Sequence, residues 1–520
     1  MSFNPFWNLH YRITGGRRTI LIYLGLFIVL MAAVWYVTYR FHLSEYNGQP
    51  SQRQRDELLG KASATALIWV SVAQGAFVLL MAPFAIRKAV MRDSENGMLE
   101  SHQLAPMNGL RIALGYLTGP PIVSWLLFAT GLLMGVIFAG LRAKGVGALP
   151  GSAAGQWFGT QLVFLSLSVL YCTATLLLSL HSPKKSVTSP FLLVFFLPFL
   201  VPLSPGVAIL IGAAGLVLFS GMTTGIGPSA QMVTETIALS VLAQAAFALL
   251  FLFAASQKVR ANRMTVFGVP LGALFVGLFG VVSLAGIRLS LIDSSARSNV
   301  SEMADVYIVA TSILMMFLAY YPLRAAAVSM VQFVRRGAIG RGGLLTRFFV
   351  LAAILTSFVV GTFLAGAQLI SQSKINWAEI TRLISHGAVP LAIFATFVFD
   401  LAILYRAALR GKSGIAFLLF LILVLRGAPF IIDGIFAYQS QVDVYSEPEF
   451  EYKASQISPY VTMIMAVGDA GNPWPGTVVQ VVLTIAALGW ALSTKPKVKS
   501  APQRVPVARP APPVQTPSGG

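Results

Sequence analysis

Residues 19–37 read TILIYLGLFIVLMAAVWYV, a run without a single charge, and this stretch decides the class of fold. A helix of about 20 apolar residues crosses the ~30 Å hydrocarbon core of a bilayer. Arg17 and Arg18 stand directly before the run, and similar runs recur as far as residue 493. No small-residue cleavage site follows it, so we expect a retained membrane span and not a signal peptide.

The whole chain has the composition of a membrane protein. Of its 520 residues 56% are hydrophobic and 11% are charged, against roughly 45–50% and about 25% in soluble domains. Apolar runs bounded by charges or turn residues predict twelve spans, and therefore an all-helical polytopic fold of about twelve transmembrane helices. The spans are 19–37, 64–86, 112–141, 159–180, 190–221, 237–255, 266–287, 306–323, 348–370, 387–405, 415–433 and 476–493.

The basic residues indicate the orientation of these spans. With the N-terminus inside, the predicted cytoplasmic segments carry 25 Lys and Arg and three acids, and the external segments carry 11 Lys and Arg and 13 acids. Cytoplasmic loops are enriched in Lys and Arg, so both termini are predicted to lie in the cytoplasm of a multi-pass plasma membrane protein. The net charge of +19 is then mostly a topology signal, and no nucleic-acid partner is expected.

The spans divide into two halves of six. We assign residues 1–267 to the first half and 268–493 to the second, followed by a basic Pro-rich tail at 494–520. The tail has too little apolar content to fold alone, and we predict a disordered cytoplasmic chain beside membrane lipids.

One run leaves its number of crossings open. Residues 190–221 contain prolines in mid-run, and two crossings there would place the basic loops of the second half outside, so we favour one. Ser204-Pro205 in this run and Ser458-Pro459 each precede the last span of a half. Such an echo is a weak sign of an internal repeat, which is common in transporters.

The loop between the second and third spans, residues 87–111, reads RKAVMRDSENGMLESHQLAPMNGLR and contains all three predicted cytoplasmic acids. Gly97 interrupts this amphipathic element and Pro106 ends it. We expect apolar Val90, Met91, Met98, Leu99 and Leu104 against the membrane or a core, and Arg92, Asp93, Glu95 and Glu100 facing water or a partner. Such a mixed-charge surface suits docking of a soluble subunit.

The loop resembles the segment between the second and third spans of type 2 ATP-binding-cassette (ABC) permeases. That family pattern is an acidic and basic run, Gly-Thr-Leu-Glu, a few apolar residues, Thr-Pro and, nine residues after the proline, Gly-Lys. The positions that match without a gap are Glu95, Gly97, Leu99, Glu100, Leu104, Pro106 and Gly115. The opening, with Asn4-Pro5, Trp7, Arg12 and Arg17-Arg18, is similar to the interfacial helix with which many members begin.

This chain departs from the pattern at Met98, which replaces Thr, and at Tyr116, which replaces Lys. The corresponding loop of the second half, 324–347, has five Arg and no acid, so the first half alone carries the pattern. The resemblance implies an export permease of the inner membrane. It further implies that Arg92 and the matching positions form the coupling surface for a separate dimeric ABC ATPase, which holds the ATP. Whether one chain or a homodimer forms the pore is left open.

The chain shows no nucleotide-binding, catalytic or metal-binding motif. Gly411-Lys412-Ser413 lacks the first glycine of a phosphate loop, because Arg406 stands at that position. The five histidines are scattered, and Cys172 is the sole cysteine, so neither a thiolate metal cluster nor an internal disulfide is predicted. We expect a transport subunit without enzymatic activity or a cofactor of its own.

Three charges lie inside predicted spans of the second half, where ionisable groups are rare and usually paired. Asp400 and Arg426 have opposite signs on consecutive antiparallel spans, and Asp433 is the rival partner of Arg426. Such a pair serves either as a structural clasp or as a charge relay in a polar pathway. The alternatives to an ABC permease are therefore a twelve-span secondary transporter that uses these charges, and a membrane scaffold without transport. Gly131 and Gly135 in the third span further predict close helix packing.

Overall fold

The computed structural model describes the chain in sixteen pieces: 16–44, 50–104, 107–146, 150–182, 204–211, 230–260, 265–292, 297–337, 341–370, 387–410, 424, 428, 432–433, 458, 460–463 and 472–493. Helix accounts for 92% of the structure and no strand occurs within these pieces. The predicted all-helical class is therefore confirmed. The predicted tail at 494–520 lies outside the described residues.

The main helices of these pieces follow in chain order. They are α1 Gly16–Ser44, α2 Gln52–Gly75, α3 Ala82–Glu95, α4 Met98–Leu104, α5 Gly109–Thr118, α6 Ile122–Val146, α7 Pro150–His181, α8 Pro205–Leu210, α9 Ala230–Arg260, α10 Val269–Ile292, α11 Arg297–Leu318, α12 Tyr320–Arg335, α13 Arg341–Ile370, α14 Ala388–Leu409 and α15 Trp474–Leu492. A π-helical segment, Ala76–Met81, joins α2 to α3.

Ten helical segments in the described part of the chain are long and apolar enough to cross a membrane. Each coincides with one of the predicted spans, which confirms a multi-pass membrane architecture. The other two predicted spans, 190–221 and 415–433, fall largely outside the described residues. The count of twelve and the cytoplasmic location of both termini therefore stay predictions.

The third predicted span begins later than its apolar run indicates. The run from residue 112 is divided at Gly119 into α5 and the membrane-length helix α6. Pro120 and Pro121 cause this break, because proline has no N–H to donate to the carbonyl four residues earlier. The Trp125 indole instead donates to the Leu117 carbonyl at 3.2 Å, which satisfies one acceptor left open by the break.

Glycines bring α2 and α6 into close antiparallel contact. A Cβ added to Gly60 would lie 3.1 Å from the Gly145 Cα, and farther along the pair Gln74 Nε2 donates to the Phe128 carbonyl at 3.0 Å. Gly131 receives the Gln74 side chain, and Gly135 receives an indole of α7. The predicted close packing at Gly131 and Gly135 is confirmed, because at either glycine an added Cβ would lie under 3.0 Å from that side chain.

Helices α7 and α9 are neighbours that run in the same direction. Ser166 hydrogen-bonds Gln244 near the middle of the pair, and His181 Nδ1 lies 3.3 Å from Lys258 Nζ at its C-terminal end. The chain therefore leaves α7 at one end of the pair and enters α9 at the other. Most of the predicted span 190–221 lies outside the described residues, so its number of crossings stays a prediction.

Helices α14 and α15 repeat this parallel arrangement in the second half. Thr477 Oγ1 lies 3.4 Å from the Ala388 carbonyl, and Thr484 Oγ1 donates to the Ala395 carbonyl at 2.9 Å. Both contacts join residues with the same separation along the chain, as parallel packing requires. The fourth and sixth predicted spans of each half thus pack in the same way.

An aromatic cluster joins the two halves at α9 and α10. Phe247 and Phe275 meet edge to face with centroids 5.5 Å apart, and Phe267 packs against Tyr321 at 5.5 Å. Edge-to-face pairs of this kind add roughly 0.5–1.5 kcal/mol beyond burial of their area. The boundary predicted after residue 267 therefore falls within a packed core, not in a flexible linker.

Candidate functional site

The predicted coupling loop is built as two helices separated by one left-handed residue. Helix α3 continues the second span as far as Glu95, and the Asn96 N–H donates to the Arg92 carbonyl at 3.0 Å. Gly97 has φ +69°, a backbone conformation that costs other L-residues roughly 1–2 kcal/mol. The Glu100 N–H then donates to the Gly97 carbonyl at 3.2 Å as α4 begins. The predicted interruption at Gly97 is confirmed.

The tip of this loop presents acidic and apolar side chains to its surroundings. Glu95 and Glu100 are exposed, and the Met98 side chain between them is 44% exposed. Leu99 instead packs against the core beneath the loop. The exposed set therefore combines two carboxylates with a flexible apolar side chain, which is a composition suited to a protein partner.

The core beneath the loop comes from four helices. Buried side chains of α3, α5, α7 and α9 form one cluster, which includes Val90, Ile112, Leu176 and Ala255. All four have exposed fractions of 0%. The loop is therefore seated on a packed base, and a force applied to its tip is transmitted to the ends of these helices.

Asp93 corrects one expectation from the sequence. It was predicted to face water or a partner, but it is only 4% exposed. Its Oδ2 accepts a hydrogen bond from the Tyr116 hydroxyl of α5 at 2.5 Å, and Arg92 Nε lies 3.6 Å from Oδ1. Asp93 thus fastens α3 to α5 inside the base of the loop and is absent from its outer surface.

Tyr116 is the donor in this bond. Burial raises the pKa of the Tyr116 phenol, and the hydrogen bond to Asp93 raises it further. The phenol therefore stays protonated over the physiological pH range. Tyr116, which departs from the family pattern, makes a specific contact that closes the loop on itself.

The far end of the loop is fixed by a close approach to α9. Asn108 Oδ1 caps α5 by accepting from the Leu110 N–H at 3.3 Å. At Gly109 an added Cβ would lie well inside 3.0 Å of the Ser256 carbonyl oxygen, and 3.1 Å from Arg260 Cγ. Since a backbone carbonyl has little room to move, glycine is required at this position.

Replacing Gly109 with Ala is therefore expected to destabilise the protein by about 1–3 kcal/mol through overpacking against α9. Gly140→Ala is the matched control, because an added Cβ meets nothing within 4 Å there, and removing a helical glycine is favourable by roughly 0.5–1 kcal/mol. Thermal unfolding of the detergent-solubilised chain measures both changes. Equal stability of the two variants would contradict the close approach.

The remaining predicted coupling residues are placed as follows. Arg92 is half-buried beside Asp93, and Gly115 is buried in α5, where its carbonyl accepts from the Gly119 N–H at 2.9 Å. Leu104 ends α4, and Pro106 lies outside the described residues. Of the matching positions that the structure describes, Glu95 and Glu100 lie exposed at the loop tip beside Met98, and Gly115 is buried in α5.

The intramembrane charges are described in part. Asp400 of α14 is 4% exposed and Asp433 is 3% exposed, so both carboxylates are buried. Arg426 lies outside the described residues, so its pairing with either aspartate stays a prediction. Asp400 belongs to the most deeply packed of the candidate spans, of which 78% is buried.

The described residues also show one kind of polar contact in both halves. In the first half the Ser166 hydroxyl of α7 bonds the Gln244 amide of α9. In the second, Thr396 Oγ1 of α14 lies 3.4 Å from Gln480 Oε1 of α15. A hydroxyl of the fourth predicted span thus meets a glutamine of the sixth in both halves, which supports the internal repeat.

The short helix α8 packs against the middle parts of longer helices. Ser204 Oγ lies 3.3 Å from Thr311 Oγ1 of α11, and Gln244 Nε2 donates to the Leu210 carbonyl at 3.0 Å. Pro205 stands in its first turn. Helices that begin in mid-membrane occur where protein or a pathway satisfies their backbone groups, and are typical of transporters.

Ser458, the serine of the second Ser-Pro pair, precedes a helical turn as well. Ser458 is fully buried, its carbonyl accepts from the Thr462 N–H at 3.1 Å, and its hydroxyl accepts from the Tyr460 N–H at 3.3 Å. Both serines of the sequence echo therefore precede a buried helical segment, as an internal repeat predicts.

Comparison of the chain with protein-family models, with curated proteins and with solved structures finds no significant match. The resemblance to type 2 ABC permeases therefore rests on the sequence of the loop and of the first residues alone.

Reasoning from the sequence missed the two glutamines, although a signal was present. Gln244 and Gln480 each lie inside a predicted apolar span, and an amide at membrane depth requires a polar partner. Their chain positions do not reveal which hydroxyl supplies it, because Ser166 and Thr396 are distant in sequence. Tyr116 was noted as a departure from the family pattern, but its bond to Asp93 was not predicted.

Proposed function

We propose that this protein is the membrane-spanning permease subunit of an ABC transporter, coupled to a separate ATPase and working as an exporter in the plasma membrane. The observation that carries the proposal is the helical unit around Gly97, which holds Glu95, Met98 and Glu100 outward on a packed base. An ATPase that changes shape on binding ATP needs a rigid element to push. A loop seated on four helix ends meets that need.

The coupling step follows from how this base is fastened. The Tyr116–Asp93 bond joins α3 to α5, and the approach of Gly109 to Ser256 joins α5 to α9. A displacement of the loop tip by an ATPase therefore moves these helices together instead of bending the loop. Helix α9 also contacts α8, because Gln244 Nε2 donates to the Leu210 carbonyl. This contact gives a mechanical route from the loop to the middle of the membrane.

Replacing Glu100 with Arg tests the coupling surface. We expect at least a roughly ten-fold loss of association with the ATPase, since reversing a charge at an interface leaves like charges in contact. Gly97→Pro is expected to give a similar loss, because proline fixes φ near −65° where the loop requires +69°. The measurement is recovery, with the tagged chain, of a protein that hydrolyses ATP.

Glu57→Arg is the control, since Glu57 is an exposed acid in α2 that the topology predicts to be external. It is expected to leave ATPase recovery unchanged. If both Glu100→Arg and Gly97→Pro fold and still recover the ATPase, the assignment of the loop as the coupling surface is contradicted.

The buried carboxylate of Asp400 favours a second candidate function, a secondary transporter driven by an ion gradient. An ionisable group at membrane depth is costly and is often part of an ion pathway. The two functions differ in their energy source. Transport that survives depletion of ATP but stops on collapse of the proton gradient, and that is lost in Asp400→Asn, would support the second.

A further inference from the structure

Five arginines gather at one end of the second half and form a surface that the proposed coupling does not use. Their positions are given by two contacts: Arg335 Nη2 donates to the Leu409 carbonyl at 3.1 Å, and Arg347 Cζ lies 4.6 Å from the centre of the Phe333 ring. The first joins the ends of α12 and α14, and the second joins the end of α12 to the start of α13. We call this group the arginine patch; its members are Arg335, Arg336, Arg347, Arg406 and Arg410.

Arg406 is the member with the most specific geometry. Its guanidinium stacks on Trp490 of α15, with Cζ 4.8 Å from the ring centre. Its Nε and Nη1 atoms are buried and find no hydrogen-bond acceptor among the described residues. Nη2 is not among these buried atoms, so it is the guanidinium nitrogen that an anion from outside can reach. Arg410, which directly follows α14 and lies four positions after Arg406, is exposed.

The patch carries a strong positive field. Within the described residues of α12, α13, α14 and α15 the one acid is Asp400. It precedes Arg406 by six positions, or roughly 9 Å along the helix. The arginines are therefore not neutralised by carboxylates of these helices, and they attract an anion from outside.

The surroundings of the patch indicate where that anion comes from. Trp490 is 40% exposed, and Phe349 and Val350, which follow Arg347, are 42% and 53% exposed. Apolar side chains exposed on membrane-length helices face lipid, and tryptophan is enriched at the level of the headgroups. The guanidinium groups thus lie at the edge of the lipid-facing surface and not on a surface turned wholly toward water.

We propose that the arginine patch binds the headgroup of an anionic phospholipid, with Arg406 and Trp490 forming the primary contact. The phosphate accepts from Nη2 of Arg406, the guanidinium nitrogen that is not buried, and Arg410 and Arg335 add charge around it. Basic pockets between transmembrane helices are suited to such headgroups. The inference concerns the second half alone and is independent of ATPase coupling.

The test uses the full chain in phosphatidylcholine nanodiscs without an ATPase, with phosphatidylglycerol as the probe and native mass spectrometry as the readout of bound lipid. Arg406→Gln is expected to weaken phosphatidylglycerol binding roughly ten-fold, as loss of a charge-assisted contact does. Arg406→Lys keeps the charge but removes the planar guanidinium that stacks on Trp490, and an intermediate loss is expected. Arg53→Gln, which removes an exposed arginine at the start of α2, is the control and is expected to bind as the unchanged protein does.

Three outcomes of the lipid measurement would overturn the proposal. They are unchanged lipid binding in Arg406→Gln, an equal loss in Arg53→Gln, and displacement of the lipid by millimolar inorganic phosphate, which would indicate a site for a free anion. Loss of ATPase recovery in Arg406→Gln with lipid binding intact would also overturn it, in favour of a protein contact. If Arg406→Gln fails to fold in neutral detergent, Arg410→Gln on the same helix face carries the test, with a several-fold loss expected.

Discussion

Tyr116→Phe is expected to lower the free energy of unfolding by about 1–3 kcal/mol and to weaken ATPase recovery as a consequence. The phenol donates to Asp93 at 2.5 Å in a site where both side chains are buried. Removing the hydroxyl takes one donor from a buried carboxylate that keeps Arg92 3.6 Å away, and the cost is that of a lost hydrogen bond to a charged group. Thermal unfolding of the detergent-solubilised chain measures the stability, and recovery of the ATPase measures the coupling.

Two further variants interpret the result. Asp93→Asn keeps an oxygen that accepts from the phenol, so it is expected to lose less stability than Asp93→Ala. Tyr36→Phe removes a hydroxyl from a side chain that is 57% exposed, and a change within about 0.5 kcal/mol is expected. If Tyr116→Phe unfolds at the same temperature as Tyr36→Phe, the bond does not fasten the loop.

The length of α3 explains why the sequence predicts an exposed Asp93 although the residue is buried. The apolar run predicts a second span that ends at residue 86, and the charged residues after it predict a separate amphipathic loop. The structure continues the helix to Glu95, and on a continuous helix Ile86, Val90 and Asp93 share one face. Extending the helix through the charged residues would have predicted burial of Asp93. Hydropathy detects where apolar character stops, but a helix does not end there.

The apolar runs predicted the spans well because a bilayer demands length and hydrophobicity and little else. The same runs failed inside the third span, since Pro120 and Pro121 add no charge and do not interrupt hydropathy while they do interrupt hydrogen bonding. The contacts between helices were beyond the sequence. Gly131 and Gly135 indicated close packing, but which side chains enter the space depends on the neighbouring helices, and these proved to be α2 and α7.

The contact at Gly135 gives the second large expected effect. Trp157 is fully buried, and its Nε1 donates to the Leu132 carbonyl at 3.1 Å. A Cβ added to Gly135 would overlap the indole, because it would lie well inside 3.0 Å of Cζ2, Cε2 and Nε1. We expect Gly135→Ala to cost about 3 kcal/mol or more, and Trp157→Ala to cost about 3–5 kcal/mol through the cavity it leaves. Thermal unfolding in detergent measures both.

A double substitution separates this packing from general damage to the fold. Phenylalanine lacks the second ring of the indole, so Trp157→Phe opens space at the atoms that a Cβ on Gly135 would meet. Gly135→Ala is therefore expected to cost less in the Trp157→Phe background than in the unchanged protein, with a coupling energy of about 1–2 kcal/mol. Gly140→Ala, on the same helix, is expected to show no coupling to Trp157→Phe. Additive costs for Gly135→Ala and Trp157→Phe would mean that α6 and α7 do not meet at this glycine, and the packing of the first half would need to be redrawn.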